Sequence, residues 1–157
     1  MFLSEHSHSR CWVHLVWSTY RRELILHGRT AAQVSRFLLS YARSNGIYMK
    51  INYVNPDHVH ALIDLPVTRS IQETIRLLKG SSSHFINGSE MLTGRFRWGR
   101  GYGAFSVSES KVQEVAKYIA QQAEHHRTKS FAEEYEAFVR IHGLLVSARE
   151  SGREDQE

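Results

Sequence analysis

The order in which the hydrophobic period changes along this chain constrains its fold more than any single residue does. CWVHLVWS at 11–18, aromatic and β-branched, reads as a strand. Thr30 and Gln33 form a capping box, after which Val34, Phe37, Leu38 and Tyr41 recur at helical spacing until Asn45-Gly46 stops the helix. IYMKINYVN at 47–55 alternates as a strand does. Asn55-Pro56-Asp57 makes a turn, and HVHALIDL at 58–65 returns as the second arm of a hairpin. Ser70 with Glu73 opens a second helix through Ile71, Ile75 and Leu78. Residues 86–103 carry five glycines and read as a loop, and AFSV at 104–107 is a fourth strand. Ser110 with Gln113 predicts a third helix to about residue 126, and Ser130 with Glu133 a fourth that ends near Gly143. The resulting order, β-α-β-β-α-β and then two helices, is the ferredoxin-like pattern of the α+β class. It predicts an antiparallel four-stranded sheet with two helices on one face. The other face would be open to a third helix or a ligand.

A chain of 157 residues, 41% of them hydrophobic, is long enough to bury a core as one domain. The expected layout is a polar arm over 1–10, the domain over 11–143 and a polar, disordered tail over 144–157. Cys11 is the single cysteine, so no intramolecular disulfide forms. No apolar run is long enough to span a membrane, and the N-terminus lacks a signal layout, so the expectation is a soluble cytoplasmic protein. Net charge is +4, but residues 150–157 hold four acids and one arginine, which leaves +7 on residues 1–149. Fifteen of the 20 basic residues are arginine, the side chain shaped for phosphate, so a polyanionic partner is one reading and ordinary solubility charge the other.

His58-Val59-His60 is the first candidate site. Among 10 histidines, roughly half an H-x-H match arises by chance, and His6-Ser7-His8 is such a match on a polar arm. Strand alternation puts His58, His60 and Leu62 on one face and Val59, Ala61 and Ile63 on the other. If the second set faces the helices, both imidazoles face the open side, where they could hold a divalent ion or remain ordinary surface histidines. On the third helix Tyr118 and Gln122 lie four apart, with Lys111 on nearly the same side. Helix geometry alone favours a solvated face with a partly buried tyrosine. GRFRWGRGYG at 94–103 interleaves Arg95, Arg97 and Arg100 with Phe96, Trp98 and Tyr102 and has no acid. That suits phosphate contact and base stacking, or a turn with packed aromatics. Arg21 and Arg22 after the first strand, and Lys79 near the end of the second helix, could likewise hold phosphate or form a solvated edge. His14 could flank the histidine pair or be a satisfied sheet histidine.

HVHALIDLP, LKGSSSHFIN, WGRGYGAFSVS and VAKYIAQQAEHHRTKSF together resemble the single-tyrosine HUH transposases. These comprise small insertion-sequence transposases and REP-associated tyrosine transposases, and the resemblance runs from about Cys11 to Gly143. It implies a ferredoxin-like DNA transposase that nicks and rejoins single-stranded DNA, at hairpin-flanked sites, through a 5′-phosphotyrosine intermediate. Tyr118 would be the nucleophile, and His58, His60 and Gln122 the ligands of Mg²⁺ or Mn²⁺. Arg21, Arg22, Lys79, Arg95, Arg97, Trp98, Arg100 and Lys111 are the candidate DNA contacts. The metal or Lys111 would assist the tyrosine, whose ordinary pKa is about 10. The resemblance also implies a homodimer, and the expectation is a dimer with composite sites, in which the tyrosine helix lies against the partner's histidine pair. The helix's apolar stripe could equally be covered by its own sheet. Many relatives read TKYRR after the first strand where this chain reads STYRR, with Thr19 in the lysine's place. Gln121 stands where asparagine is common. The competing readings are a non-catalytic nucleic-acid-binding or regulatory protein derived from such a transposase, which would not need the site residues, and a zinc hydrolase, which lacks a carboxylate base near the motif.

Overall fold

A computed structural model describes residues 8–123 and, beyond them, Glu133 and Glu136. Residues 8–122 lie in one compact unit. The expected fourth helix and the tail lie outside the described residues, apart from those two glutamates.

Four strands form one sheet: β1 (Trp12–Ser18), β2 (Tyr48–Val54), β3 (His58–Asp64) and β4 (Gly103–Val107), in the order β2-β3-β1-β4. Every neighbouring pair is antiparallel. With α1 (Gly28–Ser44) and α2 (Ile71–Gly88) this is the ferredoxin-like fold. Val13, Leu15 and Trp17 of β1 and Val59, Ala61 and Ile63 of β3 pack with Val34, Leu38, Ile75 and Leu78 from the two helices.

The opposite face is covered by α3 (Val112–Ala120) of the same chain. Val112, Val115 and Ile119 pack there on Trp12, Leu62 and Val107. Each such side chain contributes about 1.5–3 kcal/mol when fully buried. Covering both faces explains why six of the seven residues of β3 are buried, where a sheet with one wet face would alternate.

Helix boundaries follow tertiary contacts as much as local signals. Ser70 caps α2 as expected, its Oγ accepting from the Glu73 N–H at 3.0 Å. Asn45 caps α1, and Gly46 turns the chain at φ +69° so that Ile47 N–H reaches Ala42 O at 2.9 Å. The Thr30–Gln33 box does not form. Ile25 and Leu26 donate to Pro56 O, and α1 starts at Gly28 with Thr30 already inside it. The Ser110–Gln113 box does not form either. Residues Glu109–Lys111 wind into a 3-10 turn, with Glu109 held by Arg10 and Trp12, and α3 begins at Val112. α2 runs to Gly88, so the glycine-rich loop starts later than residue 86. α3 ends at Ala120 with Gln121 as its cap, Gln122 and Ala123 are again helical, and the expected end near residue 126 lies outside the described residues.

Candidate active site

β3 leaves the 55–57 turn with His58, His60 and Leu62 on the α3 face. His58 and His60 are 1% and 3% exposed, and their ring centroids are 5.0 Å apart. Each ring is held from behind through Nδ1. Asp57 Oδ1 lies 2.7 Å from Nδ1 of His58, and Nε2 of buried His14 lies 2.9 Å from Nδ1 of His60. A partner that accepts from Nδ1–H fixes the tautomer in which Nε2 is the basic nitrogen. His14 stands two residues from Val16, the β1 residue opposite His60, so it reaches His60 along the diagonal of the ladder.

α3 brings Tyr118 to the same face. The phenol ring is half-buried and meets His60 edge-on, centroids 5.9 Å apart at 81°, and His14 at 6.4 Å and 67°. The chain turns at Gln121 (φ −93°, ψ 14°) and directs Gln122 inward, where it is fully buried. Gln122 Nε2 donates to Tyr118 O at 3.5 Å, and its Oε1 accepts from Asn55 Nδ2 at 3.3 Å. The same Asn55 nitrogen lies 3.1 Å from His58 Nε2. Tyr118, His58, His60 and Gln122 are thus gathered at one site within a single chain.

Two imidazole nitrogens and an amide oxygen form a mixed N/O donor set of the kind that suits a divalent ion. A single amide N–H₂ group, that of Asn55, reaches two of these donors, His58 Nε2 at 3.1 Å and Gln122 Oε1 at 3.3 Å. Among the described residues no three His, Cys, Asp or Glu side chains gather as metal ligands, and the third donor would be Gln122.

The basic residues collect around the His58 end of the sheet. Gly99 N–H donates to Ser18 O at 2.8 Å and Tyr20 N–H to Arg97 O at 3.0 Å, so residues 97–99 extend the pairing alongside β1. A Cβ on Gly99 would fall 3.1 Å from Ser18 Oγ and 3.2 Å from Thr19 O, an approach that only glycine makes comfortably. Thr19 is buried, its N–H and hydroxyl 2.8 and 3.2 Å from Asp57 O. The guanidinium groups of Arg97 and Arg21 lie 4.0 and 5.1 Å from the Tyr20 ring centre. Arg21 and Arg22, exposed in a 3-10 turn over Tyr20–Arg22, both adopt left-handed backbone at φ 53°. A groove of about 530 Å³ between α2 and the loop is lined by Arg76, Lys79, Arg95, Arg97 and Arg100, and by no acidic side chain.

Three of the expected DNA contacts also make contacts within the chain. Lys79 Nζ donates to Gly99 O and Gly101 O at 2.8 and 3.0 Å, and burial lowers its pKa below the ordinary 10.5. Trp98 packs edge-on against Trp17 and Phe96, with Nε1 donating to Ser82 Oγ at 2.9 Å. Lys111 pairs with Glu114 at 3.2 Å, and seven residues of helical rise, about 10 Å, separate it from Tyr118. His14 flanks the histidine pair, one of the two readings its sequence position allowed, while Asn55 and Asp57 are additions that sequence reasoning did not assign to the site. The turn context of Asn55 and Asp57 signalled backbone geometry, and the ladder register that brings His14 to His60 is invisible in one strand.

The chain belongs to the IS200-like transposase family, whose model matches residues 7–122, and is a DNA transposase. It is 31% identical over 114 residues to the ISDra2 transposase TnpA of Deinococcus radiodurans, a match that covers 69% of this chain and 81% of the relative. A solved chain from Deinococcus radiodurans, assigned as a transposase, superposes with a TM-score of 0.62 at 25% identity, covering 78% of this chain and 98% of that one. A REP-associated tyrosine transposase solved with a REP hairpin shares the fold at a TM-score of 0.55 and 18% identity, over 79% of this chain and 74% of that one. Among the described residues no helix is long and apolar enough to cross a membrane.

Proposed function

We propose that this transposase cuts and rejoins single-stranded DNA through a covalent 5′-phosphotyrosine on Tyr118, with the help of a divalent metal. One observation carries the reading. The phenol meets the His60 ring in the same buried cluster as His58 and Gln122. A fold serving only to bind nucleic acid needs none of this convergence.

Tyr118 Oη attacks phosphorus, the P–O3′ bond breaks and releases the upstream strand as a free 3′-hydroxyl, and the phosphoryl group stays on the tyrosine, still joined to the 5′ oxygen of the downstream strand. The phenol's proton leaves to solvent as the bond forms, and the departing 3′ oxygen takes one up. The phosphotyrosine retains the energy of the broken bond, so a second 3′-hydroxyl can reverse the step and join a new strand. A bound Mg²⁺ or Mn²⁺ supplies Lewis-acid polarisation of a phosphate oxygen. His58 and His60 would hold it through Nε2, and Gln122 through Oε1. Asp57 and His14 keep the two rings in the tautomer that this requires.

The groove rich in arginine is the proposed path for DNA. Arg21, Arg22, Arg95, Arg97 and Arg100 supply phosphate contacts, and Tyr20 with its paired guanidiniums supplies a stacking surface. Lys79 and Trp98 maintain the groove's shape. A hairpin is the favoured substrate element, since one relative of the same fold was solved with a hairpin bound. The homodimer implied by the resemblance belongs to this proposal, with each chain building its own site because α3 covers its own sheet.

Incubation with labelled single-stranded hairpin DNA and Mn²⁺ should give a protein–DNA adduct that survives denaturant. Tyr118→Phe should abolish it without loss of fold, and EDTA should suppress it. An undiminished adduct from the phenylalanine variant would refute the assignment of Tyr118.

A further inference from the structure

The turn between β2 and β3 carries a residue whose position suits more than a turn. Asn55 is 1% exposed, although turn asparagines ordinarily face water. Its backbone is fixed twice. Asn55 N–H donates to His58 O at 2.8 Å, and the following proline restricts Asn55 to extended conformations. Pro56 O in turn accepts from Ile25 and Leu26 N–H at 3.1 and 3.0 Å, which anchors the turn to the segment before α1.

The side chain points into the cluster. Its amide nitrogen lies 3.1 Å from His58 Nε2 and 3.3 Å from Gln122 Oε1. Two lone pairs directed at one amide nitrogen mark a locus that favours positive charge. The same two lone pairs are the ones a cation would use. The oxygen and nitrogen of a primary amide are nearly equal in size, so a half-turn about χ2 exchanges one for the other without repacking. That rotation withdraws the competing N–H₂ donor and delivers Oδ1, a hard oxygen of the sort that divalent magnesium and manganese prefer.

We infer that Asn55 is a ligand of the metal site, adding its amide oxygen to His58, His60 and Gln122. The inference rests on the metal-dependent reading above and assigns it a fourth protein donor. Asn55 also links ligand supply to the turn that sets the start of β3, since the residue that binds is three positions before His58.

Binding of Mn²⁺ to the full-length protein, without DNA, tests this directly through the loss of the electron paramagnetic resonance signal of aqueous Mn²⁺. Wild type, Asn55→Ala, Asn55→Asp and His58→Ala are compared, with thermal melts in EDTA to establish that each is folded. Asn55→Ala should bind Mn²⁺ at least about tenfold more weakly. Asn55→Asp should bind at least as tightly as wild type, because a carboxylate of the same shape is a better oxygen ligand. If Asn55 serves only as a donor that positions Gln122, aspartate cannot donate and should lose as much affinity as alanine; that result overturns the proposal. Wild-type affinity in Asn55→Ala overturns it as well. Should the alanine variant fail to fold, the aspartate variant alone decides between the two roles. If wild type binds no Mn²⁺, the metal-dependent reading itself falls. If His58→Ala loses the metal and the Asn55 variants do not, only the fourth ligand falls.

Discussion

Replacing Lys79 with methionine separates two jobs a lysine can do beside DNA. Its Nζ ties the loop to α2 through the carbonyls of Gly99 and Gly101, at 2.8 and 3.0 Å. Methionine retains most of the apolar stem and removes the donor. The bond to Gly99 is half-buried and that to Gly101 is exposed, so water replaces the second readily. A hydrogen bond to a charged group contributes about 1.5–3 kcal/mol, and removing the lysine also recovers its desolvation cost, which leaves a net loss of about 1–2 kcal/mol. If that free energy holds the loop in its DNA-binding shape, affinity for single-stranded DNA should fall about 5–30-fold. Fluorescence anisotropy with a labelled oligonucleotide, repeated between about 50 and 200 mM salt, reads both affinity and salt dependence. A loop-holding lysine predicts a parallel displacement of the log K against log [salt] line. A lysine that neutralises a phosphate predicts a slope smaller by about 0.7, and that outcome would refute the structural role.

Mixing Tyr118→Phe protein with His58→Ala/His60→Ala protein, under conditions that exchange subunits, should leave DNA cleavage absent, because neither chain carries a complete site of its own. Restored cleavage would show that sites are shared across a dimer. Glu109, bonded to Trp12 and Arg10, has its pKa lowered below the ordinary 4.5, chiefly by the Trp12 hydrogen bond. A depressed carboxylate stabilises the fold above its unfolded pKa and loses that contribution as pH falls through the folded one. Wild type should therefore melt above Glu109→Gln at neutral pH, and the gap should narrow as pH falls below the ordinary carboxylate value; a gap that stays constant across the whole acid range in which the protein remains folded would rule out the charge as its source.

The residues that alternate or repeat were legible because period alone decides which way they face. His58 and His60 point away from α1 and α2 since Val59, Ala61 and Ile63 must be buried beneath those helices. Tyr118 and Gln122 were legible as a pair four apart, although the helix ends between them and Gln122 is brought inward after the turn at Gln121. Of the supporting residues, His14 was legible only as one of two readings, and Asp57 and Asn55 were not legible, for a different reason. His14 acts across a strand pair whose register no local pattern encodes. Asp57 and Asn55 carry the usual letters of a turn, and only the packing of α3 over the sheet turns those letters into partners of His58 and Gln122. Trp98 and Lys79 line the basic groove, and packing adds contacts their types did not foretell, with aromatic neighbours for the one and loop carbonyls for the other.

The backbone of the Arg21–Arg22 pair changes how mutations there are to be read. Both residues sit at φ 53°, a conformation that costs an L-residue about 1–2 kcal/mol relative to the right-handed region. β-branched replacements would add steric strain, glycine would relieve it, and either would move the guanidinium-bearing segment as well as remove its charge. Glutamine leaves the backbone penalty nearly unchanged and deletes only the cation. A scan through valine, alanine and glycine at these two positions would therefore report a mixture of geometry and electrostatics, whereas glutamine isolates the electrostatic part.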